Sequence, residues 1–388
     1  MTGGFTDLAA QLQEQKQNDL YRSRRIISSP QGVNIEIDGR KVINFSSNDY
    51  LGLANHPEVV QAFKDAADIY GVGSGSAHLI CGHSQSHHAL EEELAAFTGR
   101  DRALLFSTGY MANIGVISAL LSRRDSVFED RLNHASLLDG GLLSGARFKR
   151  YLHNDLNDLQ CKMAKRSGEG KALLVTDGVF SMDGDLADLP GLSHVSSQEN
   201  CCVMVDDAHG FGVLGKTGGG IVQHYGLNQQ QVPVLMGTLG KGFGTFGAFV
   251  AGSEDLIETL IQKARTYVFT TALPAAVAEA TRVSLKLLIE DNWRREQLRF
   301  LLKYFQEGAQ QLGLKLMPSE SAIQPILIGE SRRAVEISNA LFEKGFLVSA
   351  IRPPTVPKGE ARLRITFSAN HQKEHVDQLL DSLDSIAL

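Results

Sequence analysis

Five short apolar runs, each delivering a polar or small residue at its end, constrain this chain more than any other feature. They are Ala103–Phe106, Ala172–Thr176, Cys202–Asp206, Val234–Thr238 and Ala248–Ala251. Runs this short, rich in Val, Leu and Ile, suit buried strands rather than core helices. Helix-length segments separate them, such as Ala112–Leu121 and Asp155–Lys165, the second with a start signal at Asn154 or Asp155. The alternation predicts an α/β fold with a mainly parallel central sheet flanked by helices. Ligands in such folds bind at the carboxyl ends of the strands. From about Ala275 to Gly308 the pattern turns to long helix, followed by short strands at Ile326–Ile328 and Leu363–Phe367 and the turn Arg352–Pro357. This predicts a smaller α+β C-terminal domain. A chain of 388 residues is not expected to share one core. The expected division is an N-terminal helix and arm over 1–48, a large domain over 49–285 and a small domain over 286–388.

Charge and cysteine usage exclude several classes. A formal net charge of -6 argues against nucleic acid as the main partner, although Arg22-Ser23-Arg24-Arg25 suits an anionic ligand. Cys81, Cys161, Cys201 and Cys202 have no metal spacing and no disulfide density, which fits a reduced, cytoplasmic setting. Phe5 to Tyr21 is polar, Gln-rich and amphipathic, without the apolar core of a signal peptide. No apolar stretch of about 18 residues offers a membrane span.

Four motifs sit just after the apolar runs. Val203-Met204-Val205-Asp206-Asp207-Ala208-His209-Gly210 carries an acid, and three residues on a histidine, into the strand-end crevice. A carboxylate there can keep a pyridine nitrogen protonated so that the ring draws electrons, and the histidine can meet a ring hydroxyl. The same residues also suit a helix cap and a core histidine. Gly237-Thr238-Leu239-Gly240-Lys241-Gly242-Phe243-Gly244 sets one lysine among small residues, where desolvation favours the free amine that imine formation needs. Ser107-Thr108-Gly109-Tyr110-Met111-Ala112-Asn113 turns from strand to helix and offers amides to a phosphate, with Gly109 and Tyr110 the expected donors. Asp130-Arg131-Leu132-Asn133-His134-Ala135-Ser136 puts His134 at another such junction, either stacked on a flat ligand or simply structural.

Three other patterns are set aside. Gly210–Thr217 matches a P-loop, yet Gly218-Gly219-Gly220 follows, a poor start for a helix, and Asp206 and Asp207 would repel a triphosphate. Gly242 to Gly247 matches a dinucleotide fingerprint but leads into a strand. His83, His87 and Glu91 are spaced four apart and could share a helical face, but Ser84-Gln85-Ser86 followed by Glu91-Glu92-Glu93 reads as a helix start with acids facing the dipole, so no metal is expected.

Taken together, the strand-Asp-x-x-His, strand-Thr-x-x-Lys and Gly/Tyr elements resemble the α-oxoamine synthases, fold-type-I enzymes dependent on pyridoxal 5'-phosphate (PLP), over nearly the whole chain. The matching stretches are Asn44–Leu53, Gly73–Ser76, Thr176–Gly184, Asp206–His209 and Thr238–Lys241. Arg131–Leu137, His153-Asn154-Asp155 and Ile351–Pro357 look most like the branch that condenses L-alanine with a pimeloyl thioester, on coenzyme A or a carrier protein, in biotin biosynthesis. Glycine-using branches share the cofactor site, so 2-amino-3-oxobutyrate or 5-aminolevulinate chemistry stays open, as does a non-catalytic protein of the same fold. The resemblance implies that Lys241 forms the Schiff base and moves protons at Cα, Asp206 pairs with the pyridine nitrogen, and His209 and Ser181 bind near the ring hydroxyl. His134 would stack on the ring beside the substrate, and Gly109, Tyr110 and Thr238 would serve the phosphate. Thr270 and Thr271 would reach the neighbouring subunit's phosphate, which makes a homodimer with shared sites. Arg364 would clamp the amino-acid carboxylate, with Asn48 nearby, and Arg22 and Thr355 would meet the acyl substrate. Asp177 stands where some relatives carry Glu, and a shifted hydrogen bond is expected there.

Overall fold

The computed structural model describes residues 7–18, 20–166 and 170–386. Residues 5, 6 and 19 of the amphipathic stretch lie outside them, as do both ends of the chain. A helix over Leu8–Gln17 buries no side chain. A hairpin follows, of β1 (Asn34–Ile37) and β2 (Arg40–Asn44).

The central sheet takes β3 (Arg102–Phe106), β4 (Ser126–Asp130), β5 (Arg147–Tyr151), β6 (Ala172–Asp177), β7 (Cys202–Asp206), β8 (Val234–Thr238) and β9 (Ala248–Gly252). Its order is β3-β9-β8-β7-β6-β4-β5. All neighbours are parallel except that β9 runs against both β3 and β8. The five anticipated runs all become strands, because each supplies apolar residues to both faces. Leu105, Leu174, Val203, Val205 and Leu235 enter the core on one side, while Leu104, Leu173, Val175, Met204 and Met236 enter the other. Such two-sided burial is what a sheet covered by helices on both faces requires.

The strands β4 and β5 were not among the expected runs. Ser126, Glu129 and Asp130 dilute the apolar signal of β4, yet all five of its residues are buried. Strand β5 is the sheet edge, and Arg147, Lys149 and Arg150 mask its pattern while leaving that edge charged.

The long helical pattern is two helices, Ala275–Glu290 and Asn292–Gln311, broken where Asp291 leaves helical geometry at ψ 62. Beyond them β10 (Ile323–Gly329), β12 (Ser349–Ile351) and β13 (Ala361–Thr366) form an antiparallel sheet with β13 in the centre, and β11 (Phe346–Leu347) lies between β10 and β12 in the chain but pairs parallel to β2. The N-terminal hairpin is thus stitched to the C-terminal part. Phe45 and Tyr50 pack into the same core as Leu301, Phe305, Ile365 and Phe367. No helix among the described residues is long and apolar enough to cross a membrane.

Candidate active site

Four parallel strands end together at one rim of the sheet, carrying Asp130, Asp177, Asp206 and Thr238 as their last residues. Over that rim lies a cavity of about 190 Å³, lined by Gly109, Tyr110, Asn113, His134, Ser136, Asp177, Ser181, Asp206, Ala208, His209, Met236, Thr238 and Lys241. Nine of the residues singled out in the sequence meet there: Gly109, Tyr110, His134, Asp177, Ser181, Asp206, His209, Thr238 and Lys241. A larger groove of about 680 Å³ runs beside Phe97, Val283 and Ile289, where Arg282 is already paired with Glu93 and Glu279. Lys286 and Glu290 also line it, but none of the strand-end motif residues do, so the smaller cavity is the chemical site.

The two adjacent acids of β7 have separate duties. Asp206 accepts from Asn113 Nδ2 at 2.7 Å and from the Ala208 amide at 3.0 Å. Asp207 is turned away from the cavity and accepts from the Ile221 amide at 2.6 Å. That bond caps the single helical turn Gly220–His224. A turn therefore does open at Gly220, contrary to expectation, but its N-terminus is filled by a carboxylate rather than left for a phosphate. Burial drives the Asp207 carboxyl well above the usual range.

Lys241 sits on the connection between β8 and β9. Its Nζ lies 2.6 Å from His209 Nε2, and His209 Nδ1 lies 2.6 Å from the Tyr50 hydroxyl. Burial drives His209 well below its ordinary value, helped by the positive charge of Lys241. Burial likewise pulls Lys241 down to about 8, against the opposing pull of Asp206 and Asp177. Roughly a tenth of the amine is therefore unprotonated at pH 7, against well under a thousandth at the ordinary lysine value, and the free amine is the form a Schiff-base lysine uses.

The glycines of this loop work differently from the sequence reading. A Cβ on Gly242 would meet the Phe211 carbonyl at 2.3 Å, and one on Gly244 (φ 65) would meet the Ala54 amide at 2.5 Å. They let neighbouring backbone pack against the loop, whereas Gly240, next to the lysine, has ordinary room.

His134 caps the helix Ala135–Leu143, with Nδ1 2.7 Å from Ser136 Oγ. Its amide donates to Asp177 Oδ2 at 2.7 Å. Asp177 is fully buried, and burial with the nearby Asp206 pushes its carboxyl well above the usual range. The shorter acid thus holds the His134 backbone. Thr108 caps the helix Gly109–Leu120 by accepting from the Met111 amide at 3.2 Å, which leaves Gly109 and Tyr110 to open the helix beside the cavity. Tyr110 bonds to Asp139 through its hydroxyl.

Arg364, central on β13, donates from Nε to the Ser181 carbonyl at 2.6 Å and from Nη2 to Asn48 Oδ1 at 3.1 Å. It bridges the C-terminal sheet to the cavity rim. Thr270 and Thr271 do not line this cavity. Thr271 is exposed and pairs with Ala77. Arg22 and Thr355 are also outside it and exposed, although Arg352 Nη2 donates to the Tyr21 carbonyl at 2.8 Å and so brings their two segments together.

The sequence reading gave no role to Asn113 and Tyr50, which orient Asp206 and His209. Both lay inside quoted motifs, but only their neighbours had recognisable chemistry. It also missed the clip behind the Ser181 loop. His153 reaches Asp130 at 3.1 Å through Nδ1 and Asp185 at 2.8 Å through Nε2, and packs edge-on against Phe180 at 4.4 Å. Burial opposes its charge, but the two acids prevail and raise it to about 9. A folded-state value above the unfolded one adds stability that is complete below about pH 6.5 and disappears as pH rises through about 9. At pH 7 this is worth roughly 2–3 kcal/mol. Thermal melts from pH 6 to 10 should show a fall in Tm that His153→Gln lacks, and identical profiles for both proteins would refute the assignment.

The four-residue spacing of His83, His87 and Glu91 does not put the three on one helical face. His87 lies in the first turn of the helix Gln85–Thr98, where it shares a capping box with Ser84 and gives Nε2 to the Leu273 carbonyl at 2.6 Å. The acids Glu91, Glu92 and Glu93 sit in mid-helix rather than in its first turn.

PLP can be tested against this donor set. It needs an amine for its aldehyde, an acid for its ring nitrogen, a flat neighbour, and small-residue amides with a hydroxyl for its phosphate. Lys241, Asp206, His134, the Gly109–Tyr110 helix start and Thr238 supply these around a single cavity. The residues fit the group.

The class I and II aminotransferase family model matches residues 40–383. A protein named 8-amino-7-oxononanoate synthase in Cellvibrio japonicus is 61% identical over 379 residues, 98% of this chain and 95% of that protein. A serine palmitoyltransferase structure containing PLP superposes with a TM-score of 0.93 at 30% identity, covering 98% of this chain and 96% of that one. An 8-amino-7-oxononanoate synthase structure from Francisella tularensis gives 0.77 at 33% identity, covering 89% and 97%.

Proposed function

The chain belongs to the class I and II aminotransferase family, and within it to the 8-amino-7-oxononanoate synthases; from that premise we propose that the residues around Lys241 join L-alanine to a pimeloyl thioester in biotin biosynthesis. The balance is L-alanine plus pimeloyl thioester giving 8-amino-7-oxononanoate, carbon dioxide and the free thiol of coenzyme A or a carrier protein. PLP, when bound, supplies an electron-poor ring and an aldehyde through which the amino acid is held, so that negative charge at Cα is spread.

The side chains do the rest. Lys241 takes the α-proton of alanine onto Nζ and later returns a proton to that carbon, with an amine tuned near the working pH. Asp206, steadied by Asn113 and the Ala208 amide, keeps the ring nitrogen protonated. With PLP bound, neutral His209 and Ser181 would meet the ring hydroxyl and His134 would contact the ring beside the substrate. Gly109, Tyr110 and Thr238 hold the phosphate. Arg364 clamps the alanine carboxylate with its planar fork, letting go of the Ser181 carbonyl or Asn48 to do so.

Arg22 and Thr355 receive the acyl substrate. Thr270, half-buried, and Thr271, exposed, serve the phosphate of a partner subunit, so the working unit is a homodimer. The three-part division into 1–48, 49–285 and 286–388 accords with this, since Asn48 and Arg364 approach the cavity from its first and last parts. We assign the reaction to the cytoplasm, in keeping with cysteines that build no disulfide framework.

One observation carries the reading: Lys241 and Asp206 line the same cavity, with the lysine amine against His209. The test compares alanine with glycine in thiol release from pimeloyl-CoA by the PLP-loaded enzyme. A pocket built for one extra methyl should favour alanine in kcat/KM by at least about tenfold. Equal or better use of glycine would move the chain to a glycine-using branch.

A further inference from the structure

The helix Gln85–Thr98 and the turn before it carry a cluster that the condensation does not use. We propose that His83, His88 and Glu91 form a site for a divalent transition cation, zinc being the first choice, outside the catalytic cavity. One ligand atom from each residue lies within 4.8 Å of the other two. His88 and Glu91 are three apart on one helix and therefore share a face, while His83 approaches from the turn.

Two imidazole nitrogens and a carboxylate oxygen are a common three-ligand set for zinc, leaving a fourth position for water. Tetrahedral bonds of about 2.0–2.1 Å put ligand atoms roughly 3.3–3.5 Å apart. The cluster therefore needs to draw in by about 1 Å, and rotation of the exposed His88 side chain supplies that movement.

The other two ligands are already oriented by partners of their own. His83 Nδ1 lies 2.9 Å from His78 Nδ1, and the His78 ring stacks on Tyr267 at 5.1 Å with an angle of 13°. If His83 donates in that bond, its Nε2 carries a lone pair, and that atom is the one facing Glu91 Oε2 at 4.0 Å. Glu91 is held in turn by the Leu105 amide, which donates to Oε1 at 2.9 Å and leaves Oε2 to the cluster. Supports of this kind behind a ligand fix its tautomer and direction. Glu92, 3.4 Å from His88 Nε2, competes for the exposed histidine when no cation is bound. A cation would pin the turn to the helix, and that turn begins beside Ala77, which pairs with Thr271.

The experiment is calorimetric titration of the PLP-loaded enzyme with zinc chloride, without amino acid, for the natural chain, His88→Ala and His83→Gln. The expected result is one saturable site per chain, weakened at least about tenfold in each variant, and a zinc-dependent rise in Tm that His88→Ala loses while keeping normal turnover. Lack of saturable binding up to about 100 µM zinc, or the same affinity in His88→Ala as in the natural chain, would overturn the proposal. His88 is exposed and makes no bond to the core, so its variant decides the matter even if His83→Gln does not fold.

Discussion

Lys241→Ala is expected to abolish turnover, with kcat lower by at least about 10⁴-fold, and to remove the long-wavelength absorbance of the PLP-loaded enzyme. Nothing else at the cavity is a buried amine. His209, 2.6 Å away, is held neutral by burial and engaged by Tyr50, so it cannot take over both covalent attachment and proton transfer. Lys241→Arg should fare no better, because a guanidinium does not give up its proton. Visible spectra with added PLP and steady-state thiol release read the two losses separately. Full activity in the alanine variant would remove the basis of the proposed mechanism.

Asp206→Asn is expected to lower kcat by about 10²–10⁴-fold while leaving the fold intact. The amide keeps the shape of the side chain, and its oxygen can still accept one of the bonds now made by Asn113 and Ala208. It cannot hold a proton on a ring nitrogen, so charge arising at Cα loses its outlet. A second readout separates this from mere loss of packing. Asp206 is the first of the charges that raise the Lys241 value against burial. Removing it lets that value fall below about 8, so any kinetic limb that belongs to the lysine should move to lower pH. An unchanged rate and pH profile in Asp206→Asn would end the assignment.

The sequence made the central sheet readable because parallel strands covered on both faces must be apolar along their whole length. Where a strand departs from that rule the reading failed. Strand β4 buries Glu129 and Asp130, which Asn133, His153 and nearby amides accommodate. His153 and the Asn154 amide come from a distant turn, and the nearby Leu132 and Asn133 form no pattern that announces a buried acid. Strand β5 sits at the edge and looks like a surface segment. Only the family resemblance separates Asp206 from Asp207 in the sequence, since the direction of each carboxylate depends on what packs beside it: Asn113 for one, the 220–221 turn for the other.

The histidine spacing set aside in the sequence fails as a helical face for a related reason. Intervals of four assume a helix that already includes His83, whereas the helix begins at Gln85 and His87 is consumed in capping it. The residues that converge are three and five apart instead, across a turn. Long-range polar clips such as His153 with Asp130 and Asp185 were legible only as letters in a motif, not as a device.

The reversed direction of β9 limits how the lysine segment can vary among descendants of this chain. Thr238 of β8 and Ala248 of β9 are paired directly, so the stretch between them closes on itself, with Leu239 accepting from Thr245 and donating to Gly247. A residue gained or lost there would displace the amine by up to about 3.3 Å or break the register of both flanking strands. Spelling in this segment can drift over generations, but its length is frozen.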